Sequence, residues 1–279
     1  MAGSFSILTN VASLNAQRNV GRTQQALAGN LGRLSSGLRI QTAADDAAGL
    51  AVSERLRSQI RSLGQAERNA LDGVSMVQVA EGAMNEMSGI LTRMRELAVQ
   101  SANGTLGDSE REFLQTEFVA LRDEIDRIAS VTEFNGINLL DGSLASGVDF
   151  QVGINANSAD TIALTVEQLD STTIASGFDS LEVSSAGGAS SALATIDDAI
   201  SNLSSARSGL GSIQNRLNVT IANLGSAREN LSAANSRIRD VDVASETAAL
   251  TRNNILQQAG VAVLAQANQA PSIALSLLG

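Results

Sequence analysis

The longest regular pattern of hydrophobic positions lies in the last third of the chain. Apolar residues recur there at every seventh position, and four of the seven seam positions that alternate with them are polar. Steps of three and four residues place these side chains on one face of a coiled-coil helix. From position 193 to 238 such a helix is roughly 69 Å long at 1.5 Å per residue. The repeating residues are Ile196, Leu203, Leu210, Leu217, Leu224, Leu231 and Ile238.

A second apolar stripe with the same spacing lies between positions 76 and 97. A parallel stripe on the same stretch starts near Leu56, so this helix is predicted to contact more than one neighbour. We expect a mainly α fold of long antiparallel coiled-coil helices. Its coiled-coil seam combines the heptad residues Ile196, Leu203, Leu210, Leu217, Leu224 and Leu231 with Met87, Ile90 and Met94.

Residues from about 135 to 185 change to a different pattern. Asn135-Gly136 and Asp141-Gly142 are turn signals, and the segments VDFQVGI and TIALTVE alternate polar with apolar residues as strands do. The sequence therefore predicts a small β-hairpin region in the middle of the chain. On either side of it, SERE at 109–112 reads as a capping box that opens a helix, and SSAGGASS at 184–191 reads as a loop.

Both ends of the sequence are free of charged side chains, over residues 1–17 and 253–279. Their apolar stripes are expected to bury each other, but apolar residues from 255 to 267 occupy nearly every helical face. Copies of the same chain are the simplest cover for the rest. The predicted polymerisation core comprises Ile7, Val11, Leu14, Leu27, Leu31, Leu34, Leu38, Ile255, Leu256, Val263, Leu264, Ile273, Leu275, Leu277 and Leu278. We expect one discontinuous domain from 1–44 with 240–279, and a second from 45–239.

The composition excludes several kinds of catalytic and metal-binding site. The net charge is -10, all 19 cations are arginine, and lysine, histidine, cysteine, tyrosine and tryptophan do not occur. Catalytic triads, zinc sites and Schiff bases are thereby excluded, so we expect no enzyme, no cofactor and no metal. An acidic chain without a basic cluster is a poor ligand for nucleic acid or anionic membranes. The seven Asn and Gln residues after position 252 argue against membrane insertion.

The residue pattern alone leaves more than one function open. A leucine-zipper regulator needs a basic region before its zipper, whereas an acidic segment precedes this one. A cytoplasmic coiled-coil scaffold stays open, although it does not account for two uncharged ends. The first residues lack the positive start of a cleaved signal peptide.

Several long motifs resemble bacterial flagellin, in that family's order. They are SILTNVASLNAQRN, LGRLSSGLRIQTAADDAAGLAVSERLRSQI, LTRMRELAVQSANGT, TEFNGINLLDG and RDVDVASETAALTRNNILQQAGVAVLAQANQAPSIALSLL. The resemblance covers roughly residues 1 to 145 and 190 to 279 and implies a short form with inner and spoke layers but no outer variable domain.

The resemblance implies a structural subunit that is exported unfolded through the flagellum and polymerises into a hollow, helical, extracellular filament for swimming. The implied partners are other copies, the export apparatus, a secretion chaperone, and the hook-associated junction and cap proteins. A host Toll-like receptor for flagellin is a further implied partner, with Arg93, Leu97 and Glu117 at a surface shared with neighbouring protofilaments. A hook–filament junction protein is the nearest alternative within the same export system.

Overall fold

The computed structural model describes the backbone of residues 9–276 and the side chains of residues 9–269. Within that range it contains five long helices and two small antiparallel sheets of two strands each, which confirms the predicted mainly α fold. The helices are α1 (Val11–Ser36), α2 (Ala47–Ser101), α3 (Asp108–Val131), α4 (Ala186–Arg239) and α5 (Val243–Ser276). The strands are β1 (Glu133–Phe134), β2 (Ile137–Asn138), β3 (Val148–Gln151) and β4 (Thr161–Leu164).

Contacts divide the chain into two compact units. The terminal unit combines residues up to Ser58 with those from Asn230 onward, and the central unit spans Gln59–Glu229. The division that the sequence predicts, with 1–44 and 240–279 apart from 45–239, stays a prediction. Among the described residues, none of the helices combines the length and apolar character that a bilayer crossing needs.

The core of the central unit is built from α2, α3 and α4. Methionine and leucine at helical spacing on α2 are fully buried, and they meet Phe118 and Ile125 of α3 and the heptad face of α4. Leucine, alanine and methionine make up most of this core, and Phe118 and Phe178 are its two fully buried rings, in agreement with the low aromatic content. The largest such residues on α2 are Met84, Met87, Leu91, Met94 and Leu97.

The β region begins with a tight hairpin. Asn135 and Gly136 both have positive φ, 52° and 77°, which is the backbone of a two-residue type I′ turn between β1 and β2. Strands β3 and β4 then pair antiparallel from Val148↔Leu164 to Gln151↔Thr161. The sequence correctly predicted strands in both segments.

The extended stretch after β4 is fixed by side chains of the flanking helices. The Asp126 carboxylate accepts hydrogen bonds from the Ser171 backbone N–H at 2.7 Å and from its hydroxyl at 2.8 Å. The Asn202 amide donates to the Ile174 carbonyl at 2.8 Å. This stretch is therefore held against the central core without continuous sheet pairing.

Two predicted helix boundaries were wrong. α4 already begins at Ala186, so part of the predicted 184–191 loop is helical; Ser185 Oγ accepts from the Gly188 N–H at 3.1 Å and caps this end. α3 begins at Asp108 after Gly107, whose position has no side-chain cap, so the predicted capping box does not form. The first turn of α3 is held instead by the buried Arg111, which donates to the Ser101 carbonyl at 2.9 Å.

In the terminal unit, the connectors between helices cross and pair. Leu38 and Asp240 form an antiparallel bridge, and the Val241 N–H donates to the Gly37 carbonyl at 3.0 Å. Gly37 has φ 73°, the left-handed conformation that commonly ends a helix. Near the bridge, Arg239 forms an ion pair of 2.5 Å with Glu54.

Candidate functional site

The contact between α1 and α5 is extensive and mixes polar with apolar residues. Ser13, Ala16 and Asn30 are the buried residues of α1, and Val20 is half-buried against Gly260. Asn30 lies 3.4 Å from the side-chain amide of Asn253, and the Asn10 amide donates to the Ala267 carbonyl at 2.7 Å. Lower residue numbers at α1 meet higher ones on α5, so the two helices run antiparallel. Their interface combines hydrogen-bonded amides and small residues with half-buried apolar ones, whereas the charge-free ends suggested an apolar seam.

Six of the ten predicted polymerisation-core residues whose side chains are described face outward in the subunit. The expectation that the two ends bury each other's apolar stripes is therefore wrong for the exposed members Val11, Leu14, Leu31, Ile255, Leu256 and Val263. The physical reason is register, because Ser13 and Asn30 occupy the heptad positions that meet α5. Leu27 and Leu34, at multiples of seven from Ser13, are half-buried, as are Leu264 and the bridge residue Leu38.

Five further members of that core are not covered by the side-chain description. Ile7, Ile273, Leu275, Leu277 and Leu278 lie outside the residues whose side chains the structure describes. Their part in polymerisation stays a prediction.

The predicted coiled-coil seam lies in the interior. Its members on α2 and α4 are buried, except for Ile90 and Leu231, which are half-buried. Polar members of the same α4 stripe pair across to α2, with Arg228 at 2.6 Å from Glu67 and Arg207 at 3.9 Å from Glu81. The buried members are Met87, Met94, Ile196, Leu203, Leu210, Leu217 and Leu224.

A second surface is formed where α2 and α3 lie side by side. Arg93 contacts Glu117 of α3 at 2.8 Å and Glu96 of its own helix at 3.0 Å. Hydrogen bonding to Glu117, and then to Glu96, raises the pKa of the Arg93 guanidinium above its ordinary value. About half of each Arg93 and Glu117 side chain is open to solvent, so the pair is an accessible, preorganised polar feature.

Leu97 does not belong to this surface. It is 0% exposed and packs in the central core, so its predicted role as an outward apolar anchor is wrong. The reason is helical phase, because Leu97 shares the inward stripe of Met94 while Arg93 and Glu96 point away from it.

An ion pair on the opposite side of α2 joins it to α4. Arg95 lies 2.7 Å from Asp197 of α4. The hydrogen bond between them raises the pKa of Arg95 and lowers the pKa of Asp197. Among the described residues there is no cluster of metal-binding side chains.

Two features of the central unit are not predicted by the sequence pattern. Phe113 on α3 is 77% exposed, and it could have been noticed because it falls outside the apolar stripe of that helix. An open groove of about 970 Å³ lies between the β3–β4 hairpin and α4. Its position depends on how the hairpin folds back, which no local pattern reveals.

Comparison with protein-family models matches both helical parts of the chain. The bacterial flagellin N-terminal helical region matches residues 7–145, and the bacterial flagellin C-terminal helical region matches residues 193–278. Together the two matches cover well over half of the chain and leave out the segment around β3 and β4.

Full-length relatives give the same result. A flagellin of Halalkalibacterium halodurans is 48% identical over 269 residues, covering 96% of this chain and 98% of that protein. The flagellar filament 33 kDa core protein of Treponema phagedenis is 43% identical over 286 residues, with the same coverage of both chains.

Solved structures share the fold. The crystal structure of Bacillus cereus flagellin matches with a TM-score of 0.50 and 33% identity, covering 60% of this chain and 94% of that one. A flagellar hook-associated protein of Vibrio parahaemolyticus has a TM-score of 0.59 over 70% of this chain. At 16% identity, that second likeness concerns the fold alone.

Proposed function

The chain belongs to the bacterial flagellin family, and we propose that it polymerises through the outward apolar face of its terminal helices. It is a structural subunit of the flagellar filament, in its short form without an outer variable domain. The family is structural rather than catalytic. Relatives at 43–48% identity are flagellins or filament core proteins, so a junction protein and a cytoplasmic scaffold are not favoured.

The observation that carries this proposal is the exposed apolar face of the terminal helices. Polar, small and half-buried apolar residues share the contact between α1 and α5, while Ile255 and Val263 lie on the exposed side of α5. Transferring apolar surface out of water stabilises by about 25 cal/mol per Å². One partner helix covers one side of α5, so neighbouring copies are the source of cover for the other side.

The proposal extends to the route of assembly. The subunit is exported unfolded by the flagellar export apparatus, with a secretion chaperone, and adds to a hollow helical filament outside the cell. Junction and cap proteins of the hook-associated class contact the ends of that filament. The α1–α5 contact supports this route, because no large apolar side chain of α1 is fully buried in it and such a pair is readily unfolded before export.

The test uses two valines of α5 that are almost equally exposed, Val263 at 57% and Val243 at 58%. Val263→Asp puts a charge on the proposed polymerisation face and should abolish filaments in electron micrographs. Val243→Asp puts the same charge at the first residue of α5, where an acid is favourable at a helix N-terminus, and filaments should form. Circular dichroism of both monomers should match the parent chain. Normal filaments from Val263→Asp would refute the proposal.

Arg93 and Glu117 support a second proposal, which concerns recognition. Their exposed, mutually oriented charges suit a polar contact at a small protein interface. The proposed partners are a neighbouring protofilament and, in an animal host, the Toll-like receptor for flagellin. Leu97 takes no part, since it is buried.

A further inference from the structure

Phe113 is an apolar side chain with no role inside the described subunit. At 77% exposure it is the most exposed of the large hydrophobic residues in the described part of the chain. Glu110 lies three residues before it, on the same helical face, and makes no ion pair with any described residue. Phe113 and Glu110 together form an apolar knob with an unpaired negative charge beside it.

The open groove of the central unit offers the complementary features. Ile162 of β4 and Val219 of α4 give it apolar walls, and Val219 is itself 62% exposed. Gly211 leaves room in the groove, because a Cβ there would meet nothing within 4 Å. Arg216 lines the same groove, and its guanidinium forms no ion pair with the described residues.

We propose that Phe113 of one copy inserts into the groove between the β3–β4 hairpin and α4 of the next copy, where Glu110 pairs with Arg216. The inference rests on the proposed polymerisation, since it names one contact through which copies meet. The occupant is a second copy because the knob and the groove have complementary charge and are both present on every chain. A phenyl ring entering a groove of about 970 Å³ leaves ample room for the neighbouring helix surface.

The knob cannot reach the groove of its own chain. Contacts of Arg93 with Glu117 and of Arg111 with Ser101 place Phe113 beside α2 near residue 99. The hairpin meets α2 near Asn69, whose amide donates to the Gln151 carbonyl. About thirty residues of helix at 1.5 Å each separate these levels by roughly 45 Å.

Because the knob and its groove are far apart on one chain, the contact between copies joins two different surfaces. A contact between two different patches of the same chain is heterologous, and when its rotation does not close it produces an open, helical polymer. Each copy then offers a free knob at one end and a free groove at the other. Growth by repeated addition of identical subunits follows from this arrangement.

A second groove in the central unit is a weaker candidate. It measures about 410 Å³, with Val166, Leu169 and Ile174 among its lining residues. Glu167 also lines it, and a carboxylate there repels the Glu110 of an incoming knob. Asp160 also lines the larger groove, but Arg216 offsets its charge there, whereas no cation lines the smaller groove. The charge therefore favours the groove that contains Arg216.

Cysteine pairs test the contact directly, because the natural chain has no cysteine. Chains with Phe113→Cys and chains with Val219→Cys are mixed, assembled, imaged and treated with a short thiol-to-thiol cross-linker. Cross-linked dimers should form in filaments and not in dilute monomer. Val131→Cys, on an exposed residue at the far end of α3, replaces Phe113→Cys as the control and should give no dimer.

Filaments without the Phe113–Val219 cross-link would overturn the inference and leave the polymerisation proposal intact. Absence of filaments from the parent chain would count against polymerisation itself.

Replacing each of three helical glycines of α4 by leucine tests which groove is used. Gly211 lines the proposed groove, Gly209 lines the smaller one, and Gly225 lines neither; a Cβ at each would meet nothing within 4 Å. Leucine at each should preserve or raise helix stability. Gly211→Leu should raise the critical concentration for assembly about ten-fold or more, which is the scale of one lost hot spot. The other two should change it less than about two-fold, and a selective effect of Gly209→Leu would overturn the assignment.

A charge exchange tests the ion pair separately. Glu110→Arg and Arg216→Glu should each weaken assembly by placing like charges together, and the double variant should restore it. Failure of the double variant to recover, with both single variants folded by circular dichroism, would overturn the proposed pairing of Glu110 with Arg216.

Discussion

The two helical units use similar antiparallel heptad geometry with different side-chain chemistry. In the central unit, the residues between helices are mostly methionine, leucine, isoleucine and alanine with almost no exposed surface. In the terminal unit, serine and asparagine share the α1–α5 contact with half-buried leucines, while other valines, leucines and isoleucines face out. The central unit thus carries its own core, whereas we propose that other copies complete the core of the terminal unit.

The free energies expected from burial and from hydrogen bonds also favour a self-contained central unit and a terminal unit that other copies complete. Full burial of one leucine or methionine side chain contributes about 1.5–3 kcal/mol, and the central unit buries many of them. A net hydrogen bond such as the one between Asn253 and Asn30 contributes only about 0.5–1.5 kcal/mol. Polar residues in the α1–α5 contact therefore fix register at small cost in stability. On the proposed function, the exposed apolar face of the terminal helices adds its free energy of burial when copies assemble.

The largest effect is expected from a charge in the central core. Leu217→Asp places a carboxylate where the side chain is 0% exposed, and an unpaired buried charge costs about 3–5 kcal/mol. Thermal unfolding followed by circular dichroism should show a loss of cooperative melting, and filaments should disappear as well. Val219→Asp, two residues away on the exposed side of α4, should leave the melting temperature near that of the parent chain. Equal melting of Leu217→Asp and the parent would contradict the placement of Leu217 in the core.

A smaller effect is expected from making the terminal seam apolar. Replacing both Asn30 and Asn253 by leucine substitutes a weak polar contact with a buried apolar one, which should stabilise the α1–α5 pair by about 1–3 kcal/mol. Amide hydrogen exchange on α1 should slow in the monomer. The single variant Asn30→Leu leaves the Asn253 amide without its partner and should speed exchange instead. If the double variant exchanged as fast as the parent, the seam would not be what limits the stability of the terminal pair.

Much of the fold could be predicted because the spacing of apolar residues within a single segment indicates a long helix. The heptads of α4, the stripe of α2, the Asn135-Gly136 turn and the β3 and β4 segments all follow from spacing or turn chemistry. The start of α4 could not, since the capping Ser185 and burial of Ala189 outweigh the low helix propensity of two glycines.

The functional surfaces were harder to predict than the helices. Charge-free ends correctly pointed to unusual apolar helices, but not to which side faces the partner, because heptad phase depends on tertiary pairing. Leu97 was misplaced for a related reason, since a leucine next to surface charges can belong to the inward stripe. The groove beside α4 depends on a hairpin that packs against residues distant in sequence, such as Asn69.

Acid should lower the free energy of unfolding through carboxylates in both units, and alkali should leave it unchanged. Hydrogen bonds from Ser143 and Asn138 lower the pKa of Asp141, and the Arg127 hydrogen bond lowers the pKa of Glu124. A carboxylate with a lowered folded pKa stabilises the fold above its unfolded pKa of about 4, and that stability is lost as the pH falls through the folded value. The melting temperature should therefore fall below about pH 4.

On the alkaline side, the melting temperature plotted against pH should be flat. The side-chain types that titrate between about pH 6 and 11 are histidine, cysteine, tyrosine and lysine, and the chain contains none of them. Melting temperature and critical concentration, measured in one buffer series at constant ionic strength, should not change from pH 7 to pH 10 by more than experimental scatter. A marked loss of filaments over that range would show that assembly depends on a group other than the side chains.

The smallest change in stability is expected at the surface formed by α2 and α3. Arg93→Ala removes an exposed side chain whose ion pairs with Glu117 and Glu96 are open to solvent, so the melting temperature should move by no more than about 1–2 °C. Met94→Ala, one residue later but fully buried, should melt at a much lower temperature and serves as the control for folding.

If Arg93 is a polar anchor for the host receptor, Arg93→Ala monomer should signal roughly five- to thirty-fold less in a reporter-cell titration. Leu97→Val keeps the core nearly filled and should signal at parent potency once corrected for folded fraction, because the side chain is buried. Cross-linked filaments should signal less than monomer if neighbouring protofilaments cover Arg93. Equal potency of monomer and filament would show that this surface is free of assembly contacts, and unchanged signalling by Arg93→Ala would remove the receptor role proposed for it.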